Sequence, residues 1–451
     1  MTPAARLSAV IDLLHAVEQD PRPADAVTSA FLRSRRYIEE RDRGAVLGML
    51  GALLRCTARL GWNLERLDAP DDARLRVLAW LLLGEGRTPE QAARLFSGDR
   101  FAPPALTGRE RRLAEELVEG GALEHPDMPD WVRLECPPWA LGPLKRRFGD
   151  AFAAEMEATL APPPVDLRVN PLRSTREAVV LELQALGLDA GPTPLAPLGV
   201  RVRESFSLAR LEGLKTGEIE IQDEGSQLVA ALVDARPGER AVDFCAGAGG
   251  KTLALAAGME GKGHVVACDV NAARLKRCAE RLRKAGLHNV ETKLLSGESD
   301  KWVKRRKGTF DRVLVDAPCS GTGTWRRNPD ARWRDEGEGL AALAALQARI
   351  LASAARLVKP GGRLVYATCS LLAEENEDQV AAFLAGAPDF RQVPVAEAAP
   401  ELAAAAPGAF EGDALSLTPA RHDTDGFFAA VMVRAEAPEV PEAPAGTPAG
   451  G

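Results

Sequence analysis

Residues 240–258 read RAVDFCAGAGGKTLALAAG, and this stretch decides the fold class. A short apolar run at 240–246 leads into a glycine-rich turn, and a segment rich in alanine and leucine follows at once. A strand, a glycine turn and a helix in this order are typical of the first unit of a doubly wound α/β domain. The glycines let a ligand approach the backbone, and the first N–H groups of the helix are free to bind it. The stretch therefore predicts an α/β domain with a ligand site at this turn.

Strand and helix patterns alternate from about residue 221 to residue 434, which predicts a Rossmann-like domain with a parallel, doubly wound sheet. The apolar runs that predict its strands are 240–246, 263–270, 289–295, 310–318, 362–370 and 427–434.

Two smaller segments precede this domain. Residues 1–128 place apolar side chains at helical spacing, which predicts an all-α domain. Residues 129–220 predict a small α+β domain, with strand candidates at 165–171 and 199–205 on either side of a helix. The tail at 435–451 is rich in Pro, Ala, Glu and Gly and is expected to be disordered.

The composition excludes several classes of protein. The 451 residues are too many for one average core, and 46% hydrophobic with 27% charged residues excludes a disordered or fibrous chain. No apolar run reaches the roughly 18 residues of a membrane span. Asp12 and Glu18 argue against an N-terminal targeting segment, so we expect a cytoplasmic protein. The seven cysteines include no CxxC pair, so neither a disulfide framework nor a metal site is expected.

The charge is unevenly distributed along the chain. The net charge of −7 argues, by itself, against a nucleic-acid partner. Residues 262–334, however, carry 18 Lys and Arg against 8 Asp and Glu, whereas residues 371–451 carry 3 against 14. A basic segment is therefore present inside an acidic total.

The glycine turn has two competing interpretations. A phosphate-binding P-loop needs glycine where Cys245 stands, which disfavours that reading. Asp269 ends the next strand, twenty residues after Gly249, where a carboxylate can accept hydrogen bonds from both hydroxyls of an adenosine ribose. NAD and S-adenosyl-L-methionine fit this pattern equally well.

Two cysteines follow two further strands. Cys319 lies in Asp-Ala-Pro-Cys-Ser after the strand that ends near Asp316, and Cys369 lies in Thr-Cys-Ser after the next strand. Because the carboxyl ends of parallel strands share one edge of a sheet, we expect both cysteines beside the cofactor turn. A thiolate that adds to C6 of cytosine makes C5 able to attack a methyl sulfonium, and a carboxyl such as Asp316 can hold the base. The base must be unstacked to enter.

These motifs together carry a resemblance to a known family. FCAGAGGKT (244–252), DAPCSGTGTWRRNPD (316–330), ATCSLLAEENEDQV (367–380) and TDGFF (424–428) resemble the bacterial RsmB (Fmu/Sun) type of RNA cytosine-5 methyltransferase. The resemblance covers roughly residues 130–434. LRVNP (167–171) and IQDEGSQL (221–228) are similar to that family's RRM-like domain and linker, and the helical segment is similar to a NusB-like domain.

The resemblance implies a role for each motif residue. Cys369 is implied as the nucleophile, and Cys319 as the residue that assists product release. Asp316 is implied to hold the cytosine and to lie beside the cofactor, with help from Lys251, and Asp269 to bind the ribose. The residues implied to contact S-adenosyl-L-methionine at the turn are Cys245, Ala246, Gly247, Ala248, Gly249, Gly250 and Lys251.

The chain departs from the family pattern in two places. The usual turn reads Cys-Ala-Ala-Pro-Gly-Gly-Lys, whereas Gly247 and Ala248 stand in its middle here. The acid that often contacts the adenine has no clear counterpart, and Ser296, Glu298 and Asp300 stay open for that role.

The expected partner is RNA, with an unstacked ribosomal cytosine as the substrate and the protein acting as a monomer without membrane or metal. A transfer-RNA or DNA cytosine methyltransferase is the alternative, as is a catalytically silent ribosome-assembly factor. The helical domain either serves packing alone or offers RNA a basic face formed by Arg33, Arg35, Arg36, Arg41 and Arg43. Fewer than half of a second set of cations are expected to contact RNA phosphates: Lys301, Lys304, Arg305, Arg306, Lys307, Arg326, Arg327, Arg332 and Arg334.

Overall fold

The computed structural model describes residues 1–203, 206, 208, 211–334 and 339–436. The tail that the sequence predicts to be disordered lies, from residue 437 onward, outside the described residues. Positions 204 and 205 of one strand candidate also lie outside them.

The N-terminal part is helical, as its apolar spacing predicts. Leu13, Leu60 and Leu78 are fully buried in its single core. Its last helix begins at a reciprocal cap, in which Thr107 and Glu110 each accept the other's backbone N–H. The helices are α1 (Pro3–Gln19), α2 (Ala24–Ser34), α3 (Glu40–Leu54), α4 (Thr57–Arg66), α5 (Ala73–Ala79), α6 (Pro89–Leu95) and α7 (Gly108–Glu119), with a π-turn at Trp80–Gly84.

A small α+β unit follows. Its four strands form an antiparallel sheet in the order β2-β3-β1-β4, in which Leu167 lies opposite Val200 on one side and Ile221 on the other. Its elements are α8 (Asp130–Arg133), α9 (Pro138–Phe148), α10 (Phe152–Ala158), β1 (Val165–Val169), α11 (Arg176–Ala185), β2 (Ala190–Pro192), β3 (Gly199–Val202), α12 (Glu212–Thr216) and β4 (Ile219–Ile221).

The C-terminal part is an α/β domain around a nine-stranded sheet. Its first elements are α13 (Glu224–Leu232), β5 (Arg240–Asp243), α14 (Gly250–Gly258), β6 (His264–Asp269), α15 (Ala272–Ala285), β7 (Val290–Leu294), α16 (Lys301–Arg305), β8 (Phe310–Asp316), α17 (Gly339–Ala355) and β9 (Val358–Thr368). The remaining elements are α18 (Glu377–Gly386), β10 (Phe390–Val393), α19 (Val395–Ala398), α20 (Pro400–Ala405), β11 (Phe410–Glu411), β12 (Ala414–Leu417), α21 (Pro419–His422) and β13 (Phe427–Arg434).

The sheet runs in the order β11-β12-β13-β9-β8-β5-β6-β7, with β10 paired to β13. The five strands β5 to β9 are mutually parallel, which confirms the doubly wound prediction for the centre of the sheet. Val313, Leu314 and Val315 are all fully buried, as expected for a strand covered on both faces.

The strand 427–434 differs from the prediction, because it runs antiparallel to β9. It is also antiparallel to β12, because only residues 418–426 separate these two strands, too few for the long crossover that a parallel pair requires. The short strands β10, β11 and β12, which the sequence did not predict, extend the sheet on this side.

Polar contacts bind the segment after Cys319 to both preceding parts of the chain, to the α+β unit through Arg332 and to the helical part through Arg55. The Arg332 side chain, 1% exposed, donates to the Glu135 carbonyl at 3.0 Å and to the Thr159 carbonyl at 2.8 Å. Arg55 of the helical part donates to the Arg326 carbonyl at 2.8 Å. The segment that follows Cys319 therefore lies against the helical part.

Among the described residues, no single helix has the length and apolar character needed to cross a membrane. One bent pair, Glu40–Leu54 with Thr57–Arg66, meets that test of length and composition.

Candidate active site

Hydrogen bonds with side chains of three other elements hold the glycine turn after β5 in place. Gly247 donates its N–H to Asp269 at 2.8 Å. Arg281 of α15 donates to the Ala248 carbonyl at 2.7 Å, and Arg168 of β1 donates to the Gly250 carbonyl at 2.7 Å. The small α+β unit and the α/β domain therefore both fix the backbone of the turn.

The packing of the turn against α15 explains why position 249 is a glycine. Gly249 has a φ of +85°, and a Cβ at this position would lie 2.4 Å from the Cys278 sulfur. A side chain here would collide with α15 in a backbone conformation that already favours glycine. Gly249 thus lets helix α14 start close against the neighbouring helix.

A cavity of about 700 Å³ opens at the carboxyl ends of the parallel strands. It is large enough for a nucleoside-type cofactor, since ligand pockets commonly have 300–1,000 Å³. The predicted site residues that line it are Cys245, Ala246, Gly247, Ala248, Gly250, Lys251, Asp269, Asp316, Cys319 and Cys369. Gly249 alone among the predicted residues is not part of the lining, because it faces α15.

The cavity fits S-adenosyl-L-methionine by its donor set. Asp269 is largely buried, and its two oxygens accept the N–H groups of Gly247 and Asn271 at 2.8 and 2.7 Å. A carboxylate has further lone pairs, so both oxygens can still accept from the ribose hydroxyls. The apolar side chains of Val270 and Leu295 also line the cavity and suit a flat base.

Of the three residues left open for the adenine, only Glu298 lines the cavity. Asp300 instead accepts from the Ser296 hydroxyl at 2.8 Å and from the Trp302 N–H at 2.8 Å, and so caps α16. Hydrogen bonds from the backbone N–H groups of Ser296 and Trp302, and then from the Ser296 hydroxyl, lower the pKa of Asp300 to about 2.

The two motif cysteines meet across neighbouring strands. The sulfurs of Cys319, after β8, and Cys369, after β9, lie 3.4 Å apart. The contact with Cys369 and burial together raise the pKa of the Cys319 thiol well above its usual value. Cys319 therefore keeps its proton and can donate it in a hydrogen bond toward Cys369.

A partly buried ion pair lies beside the thiols. Lys251 donates to Asp316 at 2.7 Å, and its ammonium lies 5.3 Å from the centre of the Phe427 ring. Burial opposes the charge of Lys251, but the Asp316 carboxylate outweighs it, so the pKa of the ammonium lies above its usual value. This pair keeps a hydrogen-bonding carboxylate available at the cavity.

Two arginines of the second set of cations have structural roles. Arg326 is buried and donates to Asp425 at 2.9 Å and to the Asp423 carboxylate at 3.1 Å. Arg326 and Arg332 therefore belong to the part of the set that does not reach RNA phosphates, because both side chains are buried and donate to partners inside the protein. The exposed cations of the set lie around α16: Lys301, Lys304, Arg305, Arg306 and Lys307.

Sequence reasoning missed several residues that support the site. Arg168 and Arg281 hold the glycine turn, and Glu375 accepts hydrogen bonds beside both cysteines. All three contact residues that are distant in sequence or belong to another motif, and a local pattern does not show such contacts. Of the three, only Glu375 lies within a family motif, ATCSLLAEENEDQV (367–380).

Comparisons with known proteins agree with this geometry. The family model for 16S rRNA methyltransferase RsmB/F matches residues 230–433, and the model for the ferredoxin-like domain of RsmF/B-like methyltransferases matches residues 136–209. The ribosomal RNA small subunit methyltransferase B of Serratia proteamaculans (strain 568) is 32% identical over 417 residues, which cover 88% of this chain and 92% of that protein.

Solved structures extend the similarity over the whole chain. The crystal structure of PH0851 has a TM-score of 0.78 at 26% identity, and the match covers 96% of this chain and 99% of that one. A methyltransferase homolog from Pyrococcus horikoshii has a TM-score of 0.57 at 30% identity, over 68% of this chain and 97% of that one.

Proposed function

Because the chain belongs to the RsmB/F family of rRNA methyltransferases, which depend on S-adenosyl-L-methionine, we propose that it methylates C5 of an unstacked cytosine in 16S rRNA. Membership confirms the family resemblance, the fold class and the cofactor that the motifs predict. The target atom and the residue roles are the proposal. The observation that carries them is the pair of thiols, 3.4 Å apart, in the cavity of the glycine turn.

The proposed reaction uses both sulfurs. Cys369 attacks C6 of the cytosine, and its sulfur–carbon bond makes C5 nucleophilic. The bound cofactor supplies an electrophilic methyl group, which C5 accepts. Once C5 loses its proton to a solvent water, the electron pair of that C–H bond restores the ring double bond and expels the Cys369 thiolate. The Cys319 thiol, in contact with that sulfur, donates a hydrogen bond that favours its departure.

Asp316 and Lys251 orient the base in this scheme. The Asp316 carboxylate lines the cavity and can accept a hydrogen bond from the 4-amino group or from a protonated N3. Lys251 holds this carboxylate in place through an ion pair of 2.7 Å. The carboxylate thereby stabilises the positive charge of a ring that is protonated at N3 and has accepted the methyl group at C5.

The remaining proposals concern the setting of the reaction. We also propose that the protein acts as a monomer. The exposed cations of α16 and of the residues after it support an approach of RNA from that side. We place the enzyme in the cytoplasm, where its RNA substrate is made.

The first test replaces the proposed nucleophile. Cys369→Ala should abolish methyl transfer to 16S rRNA, because no sulfur remains to attack C6, while the affinity for S-adenosyl-L-methionine stays within about twofold. A radiolabelled-methyl assay and calorimetry measure the two quantities. Cys56→Ala is the control, since Cys56 is buried in the helical part and should leave the turnover unchanged. Turnover in the Cys369 variant would overturn the proposed mechanism.

The second test concerns product release. Cys319→Ala removes the donor to the departing sulfur, so the covalent complex between Cys369 and the methylated RNA should accumulate. A denaturing gel shows it as a protein band shifted by the RNA, absent in the double variant with Cys369→Ala. If the Cys319 variant turns over normally and no shifted band forms, the proposed role of Cys319 is wrong.

A further inference from the structure

Glu375 occupies an unusual position beside the two thiols. It ends the short turn Ala373–Glu375 that follows Cys369, and its side chain is 0% exposed. The carboxylate accepts the Ser320 N–H at 2.8 Å and the Gln347 side-chain amide at 2.9 Å. It also accepts the hydroxyls of Ser320 and Ser370. One buried carboxylate thus receives four hydrogen bonds.

The two serines tie this carboxylate to both cysteines. Ser320 directly follows Cys319, and Ser370 directly follows Cys369. The two hydroxyls lie 3.3 Å apart, on loops that leave the neighbouring strands β8 and β9. The Glu375 carboxylate therefore fixes the position of one cysteine loop relative to the other.

The turn that carries Glu375 is itself held rigidly. The Tyr366 hydroxyl donates to the Glu375 carbonyl at 2.7 Å, and the Asn376 side chain donates to the Ser370 carbonyl at 2.9 Å. Both contacts are buried. The carboxylate is therefore placed by the fold and is not free to follow either loop alone.

Charged groups lie close to the thiol pair. No ion pair to Glu375 occurs within the described part of the chain, so its negative charge is balanced by hydrogen bonds alone. The contact with Cys369, burial and then the Glu375 charge raise the pKa of the Cys319 thiol. Against the effect of burial, Asp316 and, to a smaller extent, Cys369 raise the pKa of the Lys251 ammonium. A negative charge disfavours a nearby thiolate and a positive charge favours one.

We propose that Glu375 is a positioning residue that aligns the two cysteine loops and keeps Cys319 protonated, which leaves Cys369 as the nucleophile of the pair. This rests on the proposed function, since it explains which of two adjacent thiols becomes the nucleophile. The proton that Cys369 loses goes to solvent, and the S–H bond of Cys319 stays intact.

The test compares thiol reactivity with turnover. In the wild type, brief treatment with iodoacetamide at pH 8 should label Cys369 in preference to Cys319, as measured by peptide mass spectrometry. Glu375→Gln keeps the shape but removes the charge, so this labelling ratio should fall at least fivefold. The kcat for methyl transfer should fall at least tenfold, while the KM for RNA changes less than twofold.

Two further variants separate this role from a general loss of packing. Glu375→Asp retains the charge on a shorter side chain, so it should keep the wild-type labelling preference and recover part of kcat. Glu374→Gln is the matched control, because the adjacent Glu374 pairs with Arg146 on the surface and should alter neither quantity. Should Glu375→Gln fail to fold, the Asp variant still tests the inference through its labelling preference.

A wild-type labelling ratio in folded Glu375→Gln overturns the inference, as does an Asp variant that loses the preference. The labelling requires no methyl transfer and no RNA. Its result therefore stands apart from the test of the proposed function, which fails if Cys369→Ala retains turnover.

Discussion

Asp243 is the most deeply buried acid behind the glycine turn. Its side chain accepts the Thr252 hydroxyl at 2.7 Å through one oxygen, and the other oxygen has no partner within the described structure. Burial raises the pKa of this carboxyl to about 7. The folded protein therefore holds a proton here at a pH where an unfolded chain, with a pKa of about 3.9, has released it.

This proton links stability to pH. Between about pH 4 and pH 7 the folded state binds one more proton at Asp243 than the unfolded state, so the free energy of unfolding falls as the pH rises. Asp243→Asn mimics the protonated acid and does not titrate. The melting temperature of this variant relative to wild type should therefore be higher at pH 8 than at pH 5.

Thermal unfolding of both proteins at the two pH values measures this difference. Thr252→Val is a useful companion, since it removes the donor to Asp243 without removing the carboxyl. A variant whose difference from wild type is the same at pH 5 and pH 8 would show that Asp243 is ionised in the folded protein.

Most elements of the α/β domain could be predicted, because their apolar runs are long and each has its own turn signal. The strand at 427–434 has the right span, but its direction depends on β12, which is four residues long and has no recognisable pattern of its own. Strand direction depends on how the chain returns to the sheet, and local sequence does not contain that information.

The same distinction applies to the site. Cys319, Cys369 and Asp316 could be predicted from motifs, because their chemistry is carried by residues that follow strands directly. Arg281 could not, since its contact with the Ala248 carbonyl joins residues 33 apart in sequence through the packing of α15 against the turn. Arg326 was assigned to a solvent-facing track because its acidic partners lie about a hundred residues later.

Helix α15 offers a test of how the turn is supported. Arg281 donates to the Ala248 carbonyl and pairs with Glu220 of β4 at 2.8 Å, so it bridges the α+β unit and the turn. Arg281→Met should weaken binding of S-adenosyl-L-methionine about tenfold, since a charged hydrogen bond contributes about 1.5–3 kcal/mol. Calorimetric titration with the cofactor measures it.

The matched control is Arg277→Met on the same helix, where the side chain is exposed. It removes the same charge from α15 and should leave the cofactor affinity unchanged. Equal weakening in both variants would mean that the charge of the helix matters, and the contact with the turn does not.

In the molecule as a whole, arginine side chains have two different roles, which the net charge of −7 does not reveal. Some arginines are buried as connectors between the parts of the chain, as Arg332 is between the segment after Cys319 and residues Glu135 and Thr159. Others, such as Arg305, are exposed on α16. The two uses predict opposite consequences of substitution.

Arg332→Met should lower the free energy of unfolding by at least about 2 kcal/mol, because it leaves the buried carbonyls of Glu135 and Thr159 without donors.

Arg305→Met should leave the free energy of unfolding within about 0.5 kcal/mol of the wild-type value. It should instead weaken RNA binding and reduce its dependence on salt. Urea unfolding and RNA titrations at two salt concentrations distinguish them. An unchanged salt dependence in the Arg305 variant would remove α16 from the RNA surface.

The 3.4 Å separation between the sulfurs of Cys319 and Cys369 has a consequence for the enzyme under oxidative stress. A disulfide has an S–S length of about 2.05 Å, so closing the gap needs a movement of about 1.4 Å. A peroxide that takes one hydrogen from each thiol is reduced to water or alcohol, and the two sulfurs join. The proposed nucleophile would then be blocked until a cellular dithiol reduces the bond by exchange. We therefore expect peroxide to inhibit methyl transfer and a dithiol to restore it.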